Sequence, residues 1–213
     1  NMAANQQKLN RALSYYKKIN DLHGQAKTYL AIGTNYIYEL NTRQEAMAKA
    51  SSLFEQLDDS SGLIDTLSYL GYFYIQLHMG DKAEKFLIQA TKLAFELQDP
   101  WRQANTQYLL AFATLDQGLA QTGNSGQAKL EQAVVLFDQV HEAYLPFPDA
   151  QNAADSYLLQ AWGYTELERF EKAKSVLNQS MARLDGENNP VTLIYNQMAM
   201  MDVLISFFRT RAR

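Results

Sequence analysis

Apolar residues recur at three- and four-residue spacing along nearly the whole chain, and no stretch sustains an alternation of period two. That pattern belongs to amphipathic helices rather than to strands. Polar caps and prolines punctuate it. Thr42 with Glu45 reads as a capping box, and Asp81 with Glu84 repeats the idea with Asp as the cap. Asp99-Pro100 and Asn189-Pro190 each set a cap residue before a proline at the first helical position. These signals predict about ten helices, over 4–20, 25–40, 43–57, 62–78, 81–97, 100–120, 126–142, 150–167, 170–184 and 190–210. Two longer connections remain: QTGNSG at 121–126, read as a flexible loop, and the stiffer YLPFPDAQ at 144–151.

The helical segments repeat. YLAIGTNYIY at 29–38, LSYLGYFYIQ at 67–76, QYLLAFATLD at 107–116 and YLLQAWGYTE at 157–166 each place a small residue at one position: Gly33, Gly71, Ala111 and Ala161. Three residues later stand Tyr36, Tyr74, Thr114 and Tyr164. Small residues return in the following helix, at Ala83, Ala90 and Ala173. A Gly in mid-helix costs about 1 kcal/mol relative to Ala. Close crossing of two antiparallel helices explains it, because a side chain there would hold the backbones apart.

This pattern resembles the tetratricopeptide repeat. The second unit matches best, through Leu67, Leu70, Gly71, Tyr74, Ala83, Leu87 and Ala90, and the fourth follows with Gln160 in place of a Leu. The resemblance spans roughly 25–185, as repeats at 25–57, 62–97, 100–142 and 150–184. It implies an all-α fold over 1–213, a right-handed solenoid of helical hairpins with an unpaired helix at each end. Gly33 and Gly71 are 38 residues apart and Gly71 and Ala111 are 40 apart, against about 34 in the standard repeat. The helices are therefore expected to be long, as in bacterial peptide-sensing regulators and adaptors. Helix 4–20 reads as a second helix lacking its first. Helix 190–210 reads as a first helix lacking its second, and it is apolar nearly all round, which calls for a cover. A second copy, a further domain, or fold-back onto 170–184 would supply one.

Composition narrows the function. The chain has 213 residues, 47% of them hydrophobic, with a formal net charge of −4. Lys and Arg are scattered singly, and the densest run, Arg209, Arg211 and Arg213, reads as a solvated tail; no basic stripe suits a phosphate backbone, so no direct nucleic-acid partner is expected. No Cys occurs, which excludes disulfides, Cys-bound zinc and thiol catalysis and fits a cytoplasmic protein. The first residues lack the apolar core of a signal peptide, and Asn1 ahead of Met2 reads as a remnant before a native start. No run of about 18 uncharged apolar residues predicts a membrane span. His23, His78 and His141 stand apart from one another, each near a predicted helix end, and no phosphate loop or nucleophile motif is present. Neither catalysis, a metal nor a cofactor is expected.

In the tetratricopeptide family the first helix of each pair lines a concave groove. Carried over by register, the resemblance implies groove positions at Lys27, Leu30, Thr34, Ile37 and Tyr38; at Asp65, Ser68, Tyr69, Tyr72 and Ile75; at Asn105, Tyr108, Leu109, Phe112 and Asp116; and at Asp155, Leu158, Trp162, Thr165 and Glu166. Chaperone-docking members grip a C-terminal carboxylate with Lys and Asn where this chain has Leu30, Thr34, Ser68 and Tyr72, so that clamp is absent. The resulting groove is aromatic and acid-edged. It predicts a protein or peptide partner, apolar or amphipathic with basic residues, held chiefly by Tyr72, Tyr108, Phe112 and Trp162. For any one ring the competing expectation is that it packs between helices. Two other readings stand beside this one. The chain could be the sensory half of a bacterial signalling protein, with a cyclic-nucleotide enzyme or DNA-binding domain beyond Arg213. It could also be a self-associating scaffold, dimerising through Met198, Met201, Leu204, Phe207 and Phe208.

Overall fold

A computed structural model of the chain describes residues 2–36, 38–147, 151–183 and 190–211. Among them every regular element is an α-helix: α1 (Met2–Lys18), α2 (Leu22–Thr34), α3 (Leu40–Gln56), α4 (Ser60–Gln76), α5 (Gly80–Glu96), α6 (Pro100–Ala120), α7 (Gly123–Ala143), α8 (Gln151–Glu166), α9 (Phe170–Arg183) and α10 (Pro190–Arg211). Short links fold α2/α3, α4/α5, α6/α7 and α8/α9 into hairpins, and each hairpin packs on the next. The first helices of successive hairpins, α4, α6 and α8, also touch one another, so they form one continuous side of an all-α helical-repeat fold.

The small residues set the crossings. A Cβ placed on Gly71 would stand 2.4 Å from Cγ and Cδ2 of Leu87, and one on Gly33 would stand 2.3 Å from Cγ of Met47. Leu87 and Met47 are buried, so the glycines let each second helix seat a bulky core side chain against the first. A second set of glycines works between hairpins: Gly24 receives the Tyr16 ring and Gly62 the Phe54 ring. Leu63, Leu67, Leu70 and Tyr74 of α4 meet Ala83, Leu87, Ala90 and Ala94 of α5 in the largest core cluster.

The links between helices are themselves repeated. Asn20, Asp58, His78, Gln98 and Glu168 adopt φ between 51° and 56°, the left-handed turn that ends a helix. The next residue's N–H then donates back to a carbonyl in the last turn, as Asp59 N to Phe54 O at 2.9 Å and Arg169 N to Tyr164 O at 2.8 Å. Asp21, Asp59 and Asp99 follow three of these turns and cap the next helix, accepting from Gly24 N, Gly62 N and Arg102 N at 2.9, 2.9 and 3.0 Å. Buried Thr28 and Thr66 donate to Gly24 O and Gly62 O at 2.7 and 2.8 Å, and Thr106 to Gln103 O at 3.1 Å.

Several sequence expectations are corrected here. Thr42 and Glu45 lie inside α3, which starts at Leu40 with Glu39 as an N-cap that makes no side-chain bond. Asp81 sits in the first turn of α5 rather than at its cap, because the left-handed His78 lets the helix begin at Gly80. The loop expected at 121–126 is mostly helix, since α7 starts at Gly123. Tyr36 is not a helical counterpart of Tyr74: α2 ends at Thr34, and the exposed Tyr36 ring lies in the turn under the Arg43 guanidinium at 4.4 Å. Of the covers left open for helix 190–210, the structure shows the fold-back onto the preceding hairpin. α1 packs on α2, and α10 lies against α8 and α9 through Val203, Ala199 and Met200, with Asn196 fully buried.

Candidate functional site

α4, α6 and α8 enclose a cleft of about 720 Å3 on their shared side. Leu30 of α2 closes one end, and Asp65, Ser68, Tyr69 and Tyr72 form the α4 wall. Trp101, Arg102, Asn105, Tyr108 and Leu109 form the floor from α6, and Asn152 and Asp155 form the α8 wall. Helical periodicity explains the lining. Asp65, Ser68, Tyr69 and Tyr72 are spaced three and four apart on one stripe of α4, as Trp101, Arg102, Asn105, Tyr108 and Leu109 are on α6.

Arg102 is the electrostatic centre. Its Nε and Nη2 donate to Oδ1 and Oδ2 of Asp65 at 3.0 and 3.1 Å, and its Nη1 donates to Asp99 Oδ2 at 2.6 Å. These bonds hold the guanidinium above its ordinary value, with the Asp65 hydrogen bonds the leading cause. The Asp99 carboxyl is held below the usual carboxylate range, first by its bond from the Arg102 backbone N–H. Asp65 is therefore one half of a fork-to-fork pair and not the bare acidic edge that the sequence suggested.

Beside this pair lies a neutral polar network. Asn105 Oδ1 accepts from Tyr144 Oη and from Asn152 Nδ2, both at 2.7 Å, and Asn105 Nδ2 donates to Trp101 O at 3.1 Å. Trp101 stands edge-on to Tyr144 and Phe147, with ring centroids 6.2 and 5.1 Å apart. The Tyr144 hydroxyl is pushed up to about 12, chiefly by burial, and that of Tyr108 is also pushed up, by burial first and then by the charge of Asp155. Tyr72 is raised by burial first, beside Tyr36 and Gln76, with Asp155 adding to it. Two rings face outward into the cleft: Tyr69 is 48% exposed and Trp101 43%.

Of the groove residues named from sequence, Leu30, Asp65, Ser68, Tyr69, Tyr72, Asn105, Tyr108, Leu109 and Asp155 come together here. Thr34, Tyr38, Phe112 and Trp162 do not. Thr34 closes the last turn of α2, donating to Ala31 O at 3.4 Å. Tyr38 is buried against Leu9 and Leu13 of α1, because α2 ends early and the link turns inward. Phe112 is half-buried beside Tyr108 and packs on the core of the preceding hairpins. Trp162 stands one helix further along, in a separate cavity of about 340 Å3 between α8 and α10, its Nε1 donating to Glu166 Oε1 at 3.0 Å. Asp116 is no groove acid: it is buried, with its Oδ1 2.8 Å from His78 Nδ1. Ile37 lies outside the described residues. Trp101, Arg102 and Asn152 were missed by sequence reasoning. The one signal was the Asp99–Arg102 spacing at a helix start.

On α10, Met198, Met201 and Leu204 are exposed, together with Tyr195 and Ile205. Phe207 instead turns inward, its ring 5.7 Å from that of Phe170, because it continues the buried stripe of Asn196 and Val203. The side chain of Phe208 lies outside the described residues. Among the described residues no group of three or more His, Asp or Glu could hold a metal ion, and no helix is long and apolar enough to cross a membrane.

No family model matches the chain, and no curated protein matches it. Among solved structures it is similar to the crystal structure of BtubC (BKLC) from P. vanneervenii, at a TM-score of 0.64 and 16% identity, over 99% of this chain and 85% of that one. At that identity the likeness speaks to the fold alone.

Proposed function

We propose that the chain is a non-catalytic protein-interaction module of tetratricopeptide type, which holds an extended or helical segment of a partner protein in the cleft between α4, α6 and α8. The observation that carries this reading is the cleft itself: a concave cavity of about 720 Å3 with two outward-facing aromatic rings, ordered asparagines and a fixed ion pair. Rings with low conformational freedom and a polar tip are efficient anchors, and amide side chains can pair with a partner's backbone. The test is selection of short random peptides on the immobilised chain, followed by calorimetry with Tyr69→Ala and Trp101→Ala. Both rings are about half exposed, so each change should weaken a selected peptide tenfold or more; the melting temperature should stay within about 2 °C of the parent for Tyr69→Ala and fall by several degrees for Trp101→Ala, whose ring also packs on Tyr144 and Phe147. Unchanged affinity in both variants would remove the cleft as the site.

A second reading has an observation of its own. The stripe of Tyr195, Met198, Met201, Leu204 and Ile205 on α10 is exposed and apolar, and such a face is commonly covered by a partner. Self-association through it gives a concentration-dependent mass by light scattering, and the double change Met201→Asp with Leu204→Asp should return the monomer mass. A monomer at all concentrations in the parent chain would discard this reading.

A further inference from the structure

We infer that the chain associates head to tail: α10 of one copy pairs with α1 of the next, and the two complete a hairpin between them. This rests on α10 being a self-association face and names what covers it. The register of α10 is the first observation. It begins at Pro190 as α6 begins at Pro100. Seven positions after the residue before that proline stand Thr106 and Asn196, both buried, as Thr28 and Thr66 stand seven after the caps Asp21 and Asp59. α10 is therefore a first helix, and its fold-back onto α8 and α9 is the contact that α4 and α6 each make with the hairpin before them. Twelve positions after the cap, Gly33 and Gly71 meet the second helix of their own hairpin, at Met47 and Leu87. The same count on α10 reaches Met201, which is 62% exposed, and three further on Leu204 is 41% exposed where Tyr74 is buried. Among the described residues no second helix covers this side of α10. In the first three hairpins that contact is wider than any between other neighbouring helices.

α1 supplies the complement. It is placed as a second helix: it packs on α2 as α3 packs on α4, and Tyr16 fills the space at Gly24 as Phe54 fills that at Gly62. Counting back from Asp21, Asp59 and Asp99, Leu9 takes the place of Met47 and Leu87, Ala12 that of Ala50 and Ala90, and Tyr15 that of Leu53 and Leu93. Within their complete hairpins Met47, Leu87, Ala50 and Ala90 are buried, whereas Leu9 and Ala12 are only half-buried and Tyr15 is exposed. Each end thus carries what the other lacks, and stacking buries a face that one repeat cannot bury alone. Lys8 stands where Ala46 and Phe86 stand, so its stem can lie along Leu204 with the ammonium in water. Met201 is larger than the glycines at its position, and its flexible side chain suits a wider crossing, which makes this joint weaker than a hairpin within one chain. A contact between two unlike faces leaves one of each free at the ends of a pair, so copies add end on end.

The experiment is light scattering on the full chain and on two variants. In the parent the mean mass should pass that of a dimer as concentration rises. Met201→Asp with Leu204→Asp blocks α10 and leaves α1 intact, and Ala12→Glu with Tyr15→Asp does the reverse. None of the four side chains is fully buried, so both variants should keep the parent's circular dichroism. Each variant alone should give the monomer mass. Mixed in equal amounts they should form a heterodimer and nothing larger, because only one intact α1 and one intact α10 remain to meet. Self-association of the α1 variant at the parent's level would mean that α10 pairs with itself, which overturns the head-to-tail contact and leaves α10 as a self-association face. A parent mass that stops at the dimer would overturn the head-to-tail contact too, and it needs no altered protein, so it decides even if a variant folds poorly. A parent that is monomeric at every concentration would overturn both and leave the α10 face to another partner.

Discussion

Gly71 shows how a residue that is poor in isolation becomes necessary in context. Its Cα lies where any Cβ would enter the Leu87 side chain, 2.4 Å from both Cγ and Cδ2, and Leu87 is fully buried with no room to retreat. Ala at this position gains about 1 kcal/mol of helix propensity. Overpacking a filled core costs about 1–3 kcal/mol. The overlap reaches Cγ, not only the tip of the side chain, so the cost should win. Gly71→Ala is expected to lower the melting temperature by several degrees in thermal denaturation followed by circular dichroism, and a higher melting temperature would show that the crossing is looser than the contacts imply. The repeat of small residues was legible in the sequence because it is local and periodic. The groove chemistry was legible only in part. Register alone places Asp65, Tyr69, Tyr72, Asn105, Tyr108 and Asp155 along the first helices, but it cannot show that Arg102 reaches across 37 positions to neutralise Asp65. Nor can it show that Tyr38 turns under α1, since that depends on where α2 stops.

Helix ends carry a second repeat that hydrophobic periodicity hides. Asp21, Asp59 and Asp99 each follow a left-handed residue, cap a helix, and precede by seven positions a buried Thr bonded to the helix backbone. The spacing from Asp149 to Ser156 is the same in the sequence. A polar residue every 38 or 40 positions is easily passed over as surface, whereas Thr42 with Glu45 offered a familiar cap spacing in the wrong place. The left-handed positions are held by Asn, Asp, His, Gln and Glu rather than Gly, so the usual stop signal is missing. Asp59 Oδ1 accepts from the Gly62 N–H at the start of α4, at 2.9 Å. Asp59→Ala should therefore cost about 1 kcal/mol, and Asp59→Asn should recover most of it, because Asn caps nearly as well. Chemical denaturation of the two variants checks this through the midpoint, with the slope unchanged. Equal losses in both would point away from capping.

Across the whole molecule, stability passes from hairpin to hairpin through shared interfaces, as in other stacked-repeat folds. The joint between the third and fourth hairpins depends on a buried phenol. Tyr144 is fully buried where α7 ends, its hydroxyl donating to Asn105 of α6, and Asn152 of α8 donates to the same oxygen. The sequence places Tyr144 at the start of a proline-rich connection, and nothing nearby in the chain reveals that the acceptor of its hydroxyl lies 39 positions away. Burial favours the neutral form, raising Tyr144 to about 12 and Tyr108 as well. In the unfolded chain a tyrosine ionises near 10. The folded state thus holds these protons more tightly, and the stability they contribute is complete below pH about 10 and declines as pH rises from there through about 12. The melting temperature should fall steeply over that window. Tyr144→Phe keeps the ring in its pocket and removes one ionisable group and one hydrogen bond. It should start somewhat less stable at neutral pH, by about 1 kcal/mol, yet lose less of that stability on going alkaline. Melting curves of the two chains at matched ionic strength should therefore converge above pH 10. Parallel pH profiles would mean that the alkaline loss arises elsewhere, and that the joint between the third and fourth hairpins is held by ring packing rather than by its hydroxyls.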